Sequence, residues 1–172
     1  VQKVAQFYRY NMKKSEETVT IAEEIEMVDS YIYILNVRFA GDIHYEKYID
    51  RSLLSVEMPG MILQPIVENC VNHGIREMGD AGIISLSLFG KGDKVCISVK
   101  DNGVGMSPDT IQKVMSGTYR EDNMAAGSNG IGMDNVISRM RLFTGSEDVM
   151  VIRSDGEGRG TEVCLYLRRQ DA

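Results

Sequence analysis

IISLSLFGKGDKVCISVKDNGVGM, residues 83–106, reads as two strands joined by a turn and running into a glycine-rich loop. Ile84, Leu86 and Leu88 alternate with Ser85 and Ser87, the period of a strand with one buried face. GKGD supplies the turn, and Val95, Ile97 and Val99 then alternate with Cys96 and Ser98. A tight hairpin demands antiparallel strands, so an all-parallel doubly wound sheet is excluded. Working outward, IHYEKYI (43–49) alternates like a third strand, and 148–153 and 161–168 are two more, separated by DGEGRG. Helical spacing appears at 61–74, at 108–115 with Pro108 near its start, and from about 132 to 143. Helices and hairpins that do not alternate strictly predict an α+β sandwich, one sheet covered by helices on one face.

Upstream, Val1, Val4, Ala5, Tyr8 and Met12 share a helical face within residues 1–14, and a break follows at SEET. Thr20 and Glu23 form a T-x-x-E capping box ahead of a second run. There Ile21, Ile25, Val28, Ile32, Leu35 and Phe39 alternate steps of four and three, a seam that predicts packing against another helix. With no strand signal between the two runs, a helical hairpin or dimerisation stalk is expected ahead of two surface helices. The predicted division is a helical segment at 1–40 and a second domain at 41–172.

Nineteen basic against twenty-five acidic side chains give a net charge of −6, with no Lys/Arg cluster. Broad electrostatic binding to nucleic acid or to an anionic membrane is therefore not expected. Cys70, Cys96 and Cys164 lie far apart in apolar runs and read as buried free thiols of a reducing compartment. With two histidines and no clustered ligands, a structural zinc site is not expected. No apolar run reaches the length of a membrane span, and no signal peptide opens the chain. The first residue is Val rather than Met, as expected of a piece of a longer protein.

The familiar phosphate cradles are missing: GxxxxGK[ST] does not occur, and GSNGIG is GxxGxG rather than GxGxxG. What remains is DNGVGM (101–106) directly after a strand and GSNGIGM (127–133) directly before a helix. Asp101 ends an apolar strand, where its carboxylate can accept from an amino group such as that of adenine; a charge-assisted bond of this kind is worth roughly 1.5–3 kcal/mol. Gly130 and Gly132 leave N–H groups exposed at a helix N-terminus, where the dipole favours phosphate. LQPIVENCVNHGI (63–75) adds a helix with an apolar side and a polar one: Asn69, Asn72 and His73 fall at i, i+3 and i+4. Singly, each is ordinary.

In order, an Asn-bearing helix, strand–DxGxG, an irregular loop and GxG opening a helix resemble the ATP-binding module of the GHKL superfamily. SVEMPGMILQPIVENCVNHGI, DNGVGM, GIGMDNVISRM and GRGTEVCLYL resemble the catalytic end of YesM/LytS-type sensor histidine kinases, and VTIAEEIEMVDSYIYILNVRF resembles the segment that joins it to the dimerisation helices. The resemblance implies a Bergerat two-layer α/β sandwich, with a mixed, mostly antiparallel sheet and N-terminal helices before it. It also implies that Asn69 holds Mg²⁺ bound to ATP, that Asp101 reads the adenine amino group with Thr161 in support, and that Gly130 and Gly132 wrap the phosphates. Asn72, His73, Gly103, Gly105, Met106, Ser128, Asn129, Ile131 and Met133 complete the implied ATP contacts. For His73 a contact at the helix C-terminus beside Gly74 is nearly as well founded. Residues 116–129, with Met124, are expected to form a lid over ATP rather than a plain surface loop.

The implied function is transfer of the γ-phosphoryl group of Mg-ATP to a histidine. His44 sits on a predicted strand and His73 in the Asn-bearing segment, and neither has the context of a phosphoacceptor. The acceptor is thus expected on a dimerisation region outside these residues, in a homodimeric, membrane-anchored parent whose cytoplasmic part this is, with a response regulator downstream. Two alternatives share the module: an ATP-hydrolysing relative and an anti-sigma-factor-like protein-serine kinase. In the hydrolytic branches a Glu precedes the metal-binding Asn by four residues; here that position is Pro65. Glu68, the one candidate catalytic residue, is adjacent to Asn69 and so about 100° away around the helix. The spacing favours transfer to a protein nucleophile over hydrolysis.

Overall fold

The computed structural model describes residues 17–38, 43–75, 82–118 and 131–169. The first long element is α1, Ile21–Arg38, preceded by a short strand β1, Thr18–Thr20. The predicted capping box forms: the Thr20 backbone N–H donates to Glu23 Oε2 at 2.9 Å, and the Glu23 N–H donates to Thr20 Oγ1 at 3.3 Å. β2 spans Ile43–Ile49 and β3 spans Glu57–Pro59. The helix α2, Leu63–Asn69, continues into a wider π-helical turn, Cys70–Ile75. β4 (Gly82–Lys91) and β5 (Lys94–Asp101) are the expected hairpin, turning on Gly92 at φ +62°. α3 (Pro108–Ser116), α4 (Ile131–Thr144), β6 (Met150–Arg153) and β7 (Glu162–Arg168) complete the order.

Five strands form the main sheet in the order β2-β4-β5-β7-β6. β2 runs parallel to β4, and every other pairing is antiparallel. The sheet is therefore mixed and mostly antiparallel, as expected. Its inner residues, among them Ile84, Leu86, Val95, Ile97, Val99, Val163 and Leu165, share one core with Ile66 and Val67 of α2 and with Val136 and Met140 of α4. Burial alternates along β4 and β6 as the pleat dictates, whereas on β5 and β7 the intervening Cys96, Ser98 and Cys164 are buried as well.

Two expectations change at the N-terminal side. TVT (18–20), where the end of the SEET break and a helix cap are expected, is a strand paired antiparallel with β3. And Ile21, Ile25, Val28 and Ile32 of the seam are buried in the same core as the sheet, with Leu35 packed against it. This stretch of the seam faces the domain's own α2 and sheet instead of standing off as a stalk. The predicted helix at 1–14, Phe39 and most of the predicted lid (119–129) lie outside the described residues.

A helix start is normally satisfied by the residue at its own N-cap. Ile62 holds that position in α2 and its side chain makes no capping bond. The carboxylate of Glu24, from α1, takes over. Its Oε1 accepts from the Met61 N–H at 2.7 Å, and its Oε2 accepts from the N–H groups of Ile62 and Leu63, both at 2.9 Å.

Candidate functional site

Asp101 ends β5, and three backbone segments close on it. Its own N–H donates to the Thr161 carbonyl at 2.9 Å, which ties it to the start of β7. Its Oδ1 accepts from the Gly103 N–H at 2.8 Å. The π-helical turn after α2 lies against it so closely that a Cβ on Gly74 would come within 2.9 Å of Oδ1. The loop 102–106 is pinned along its length: Asn102 Oδ1 accepts from the Ile83 N–H at 2.8 Å, Val104 N–H donates to Gly74 O at 3.2 Å, and Gly103 O accepts from Gly160 N–H at 3.0 Å. A Cβ on Gly103 would strike the Gly74 backbone, and one on Gly160 the Asp101 carbonyl. These glycines are needed because main chain packs directly on main chain.

Asp101 is only 3 % exposed. Burial pushes its pKa above the ordinary aspartate value, opposed by hydrogen bonds from the Gly103 N–H, the Cys70 thiol and the Thr161 backbone. The thiol is itself pushed up, first by burial and then by the Asp101 charge, so Cys70 remains an S–H donor. Cys70, expected as a plain buried thiol, becomes a partner of Asp101 through its position in the turn after Asn69. All three cysteines are free and buried, as expected.

The other predicted residues are placed as follows. Asn69 closes α2 and is half-buried, while Asn72 and His73 in the wider turn are exposed. The π-helical spacing replaces the i, i+3, i+4 geometry on which their shared face was predicted, and such turns are frequent at functional sites. Glu68 Oε1 accepts from Gln64 Nε2 at 2.8 Å. Gly105, at φ +77°, packs against the carbonyl of Gly156 in the DGEGRG turn, and Met106 N–H donates to Ser154 Oγ at 3.0 Å. Thr161 and Met133 are buried. Gly132 opens α4 with a Cβ position 3.2 Å from Pro65 Cβ, so the helix bearing Asn69 and the start of α4 meet. Ser128, Asn129, Gly130 and the Ile131 side chain lie outside the described residues. A cavity of about 550 Å³ borders the loop, lined by residues that include Gly103, Met106, Thr110 and Gly158.

Sequence reasoning missed Cys70, Gly74, Ser154 and Gly160. Gly74 and Gly160 carried a usable signal, since each flanks a motif already singled out. Ser154 carried none.

The donor set can be tested against a nucleotide. A buried carboxylate whose oxygens retain acceptor capacity, with no basic side chain among the causes of its pKa shift, suits a ligand N–H donor. Among the described residues there is no group of three or more His, Cys, Asp or Glu able to hold a metal alone. A carboxamide such as Asn69 beside phosphates instead suits Mg²⁺ that arrives with a nucleotide and keeps several waters.

Residues 59–171 match the family of histidine kinase-, DNA gyrase B- and HSP90-like ATPases, and residues 1–43 match a histidine kinase family. The chain belongs to the former family, which covers most of its length. It is 32% identical over 168 residues to the sensor histidine kinase YpdA of Escherichia coli, covering 97% of this chain and 28% of that protein. It is 29% identical over 166 residues to the sensor protein LytS of Oceanobacillus iheyensis, covering 96% of this chain and 28% of that protein. The chain thus spans little more than a quarter of these relatives. In fold it is similar to the catalytic domain of the histidine kinase ThkA, with a TM-score of 0.65 at 16% identity over 91% of this chain and 98% of that one. The predicted Bergerat α+β architecture is the observed one.

Proposed function

We propose that this chain is the ATP-binding catalytic part of a sensor histidine kinase, and that it presents the γ-phosphoryl group of Mg-ATP to a histidine of the dimerisation region. The observation that carries the reading is the buried Asp101 carboxylate, closed in by Gly74, Gly103 and Gly160 and held next to the turn that follows Asn69. Asp101 accepts the adenine amino group. Asn69 supplies the carboxamide oxygen for Mg²⁺, and the N–H groups at the start of α4 face the phosphates. When bound, Mg²⁺ offsets charge that builds on the transferred phosphoryl group. Thr161 holds Asp101 in register, and Gly103, Gly105, Met106, Asn72, His73 and Met133 line or support the nucleotide cleft.

Transfer is favoured over hydrolysis by the packing of Pro65. One turn before Asn69, where a general base would orient water, there is an apolar ring against Gly132. Glu68 is bridged to Gln64. The phosphoacceptor is neither His44, exposed on β2, nor His73. Residues 1–40 are assigned to the end of the dimerisation region and its linker helix, in a homodimer with a response regulator as the next acceptor. No helix among the described residues is long and apolar enough to cross a membrane, and this part of the protein is assigned to the cytoplasmic side of a membrane-anchored parent.

The test is Asp101→Asn, which presents an amide donor where adenine already presents one. ATP affinity measured by calorimetry should fall about a hundredfold, from loss of a charge-assisted bond and the clash of two donors. Unchanged affinity would remove Asp101 from the site.

A further inference from the structure

We infer that Glu24 is a positioning residue for the nucleotide site, through which α1 sets the place of the helix that carries Asn69. The inference rests on the proposed ATP site. Glu24 is 1 % exposed, and its carboxylate accepts the three consecutive N–H groups that open α2, those of Met61, Ile62 and Leu63. The same turn is gripped from its carbonyl side. Arg139 of α4 donates to Gly60 O at 2.6 Å and to Met61 O at 3.4 Å. Between those two grips Met61 is held at φ +60°, a left-handed backbone that side chains other than glycine rarely adopt.

The consequence is geometric. α2 is seven residues long and ends at Asn69, so the anchoring of its first turn bears directly on the place of Asn69. Fixed donors on one carboxylate define that anchor in position and direction, since each bond is short and both oxygens are used. Gly132, at the start of α4, packs against Pro65 of α2, so α4 is anchored to the same helix at its other end. Glu24 and Arg139 therefore clamp one turn from α1 and from α4, and both proposed phosphate-side groups, Asn69 and the opening of α4, lie on elements in that clamp. Asp101 touches the same segment through the Cys70 thiol and Gly74, but it is also held by the sheet through Thr161 and by Gly103, anchors that lie outside the clamp. A change in α1 is transmitted to the metal-phosphate side of the site before it reaches the adenine side.

This separation gives the test. In the 172-residue chain, Glu24→Gln keeps the size of the side chain but sets an NH₂ group against a backbone N–H. Calorimetry should show Mg-ATP binding weakened about tenfold or more, while ADP without metal binds within about twofold of the parent. Ile32→Ala, a core truncation elsewhere on α1, should lower the thermal midpoint and leave both affinities in place. If Glu24→Gln does not fold, Arg139→Gln loosens the same turn from its carbonyl side and should show the same split. Equal loss of both ligands, equal loss in Ile32→Ala, or unchanged Mg-ATP binding in the folded variant would overturn the positioning role. Failure of the parent chain to bind any nucleotide would instead overturn the ATP site and this inference with it.

Discussion

The two ends of the short helix α2 are fixed by opposite means. Its C-terminal turn is held by absence: Gly74 and Gly103 have no side chains, so the main chain of one segment lies on the main chain of the other and on Asp101. Its N-terminal turn is held by presence, with the long side chains of Glu24 and Arg139 reaching in from α1 and α4. Contacts of the first kind tolerate nothing, because backbone cannot move aside. Contacts of the second kind can be adjusted, because a side chain can change rotamer or partner. The contact between Asp101 and the turn that follows Asn69 is thus rigid, and the first turn of α2, with the start of α4 packed on Pro65, is open to influence from the N-terminal helix.

The largest effect should come from breaking the rigid end. Gly103→Ala places a Cβ against the carbonyl group and Cα of Gly74, and neither can yield without moving the π-helical turn. We expect a loss of about 3 kcal/mol or more in urea unfolding. Gly90→Ala, on β4 with nothing within 4 Å of the added carbon, should stay close to the parent. A similar loss at both positions would show that Gly103 is needed for chain flexibility and not for close approach.

A second prediction sharpens the role of Cys70. The carboxylate of Asp101 is raised by burial and partly restored by the thiol, so Cys70→Ala should raise it further. An adenine donor requires the ionised form. Affinity should therefore fall as pH falls through the folded value of Asp101, and in Cys70→Ala that fall should begin at higher pH. For the fold the sign is reversed. Because the folded value lies above the unfolded one, Asp101 costs stability when ionised, and that cost disappears as pH drops from the folded value toward the unfolded one. Nucleotide titrations at a series of pH values check the first statement, and an unshifted profile in Cys70→Ala would remove the thiol from the site.

Legibility in the sequence follows the same division. The hairpin of β4 and β5, the capping box of Thr20 and Glu23, and the DNGVG loop after β5 were readable because each is written in adjacent residues with its own period or turn chemistry. So were the places of Asp101 and Thr161, which a strand end and a strand start define. The pairing of β1 with β3 was not, since three-residue strands show no period and form only when the tertiary structure brings them together. Nor was the π-helical turn, which leaves Asn72 and His73 exposed where an ordinary helix was expected. Glu24 was hidden most completely. It sits beside Glu23 in the first turn of a helix, where acids are expected as a solvated complement to the dipole, and its partners lie 37 to 39 residues away.

The smallest effect probes the adjustable end directly. Met61 occupies a left-handed conformation that glycine adopts freely and that costs other residues about 1–2 kcal/mol. Met61→Gly relieves that strain but adds freedom to the unfolded chain, which takes back up to about 1 kcal/mol. A net stabilisation of about 0.5 kcal/mol is expected from these two terms, seen as a small rise in the urea midpoint with an unchanged slope. The Met61 N–H that Glu24 accepts is kept in the glycine variant, so the clamp itself stays intact. Destabilisation instead would mean that the Met61 side chain, half-buried at this turn, contributes more packing than its backbone costs. The N-terminal end of α2 would then be held by three groups rather than two.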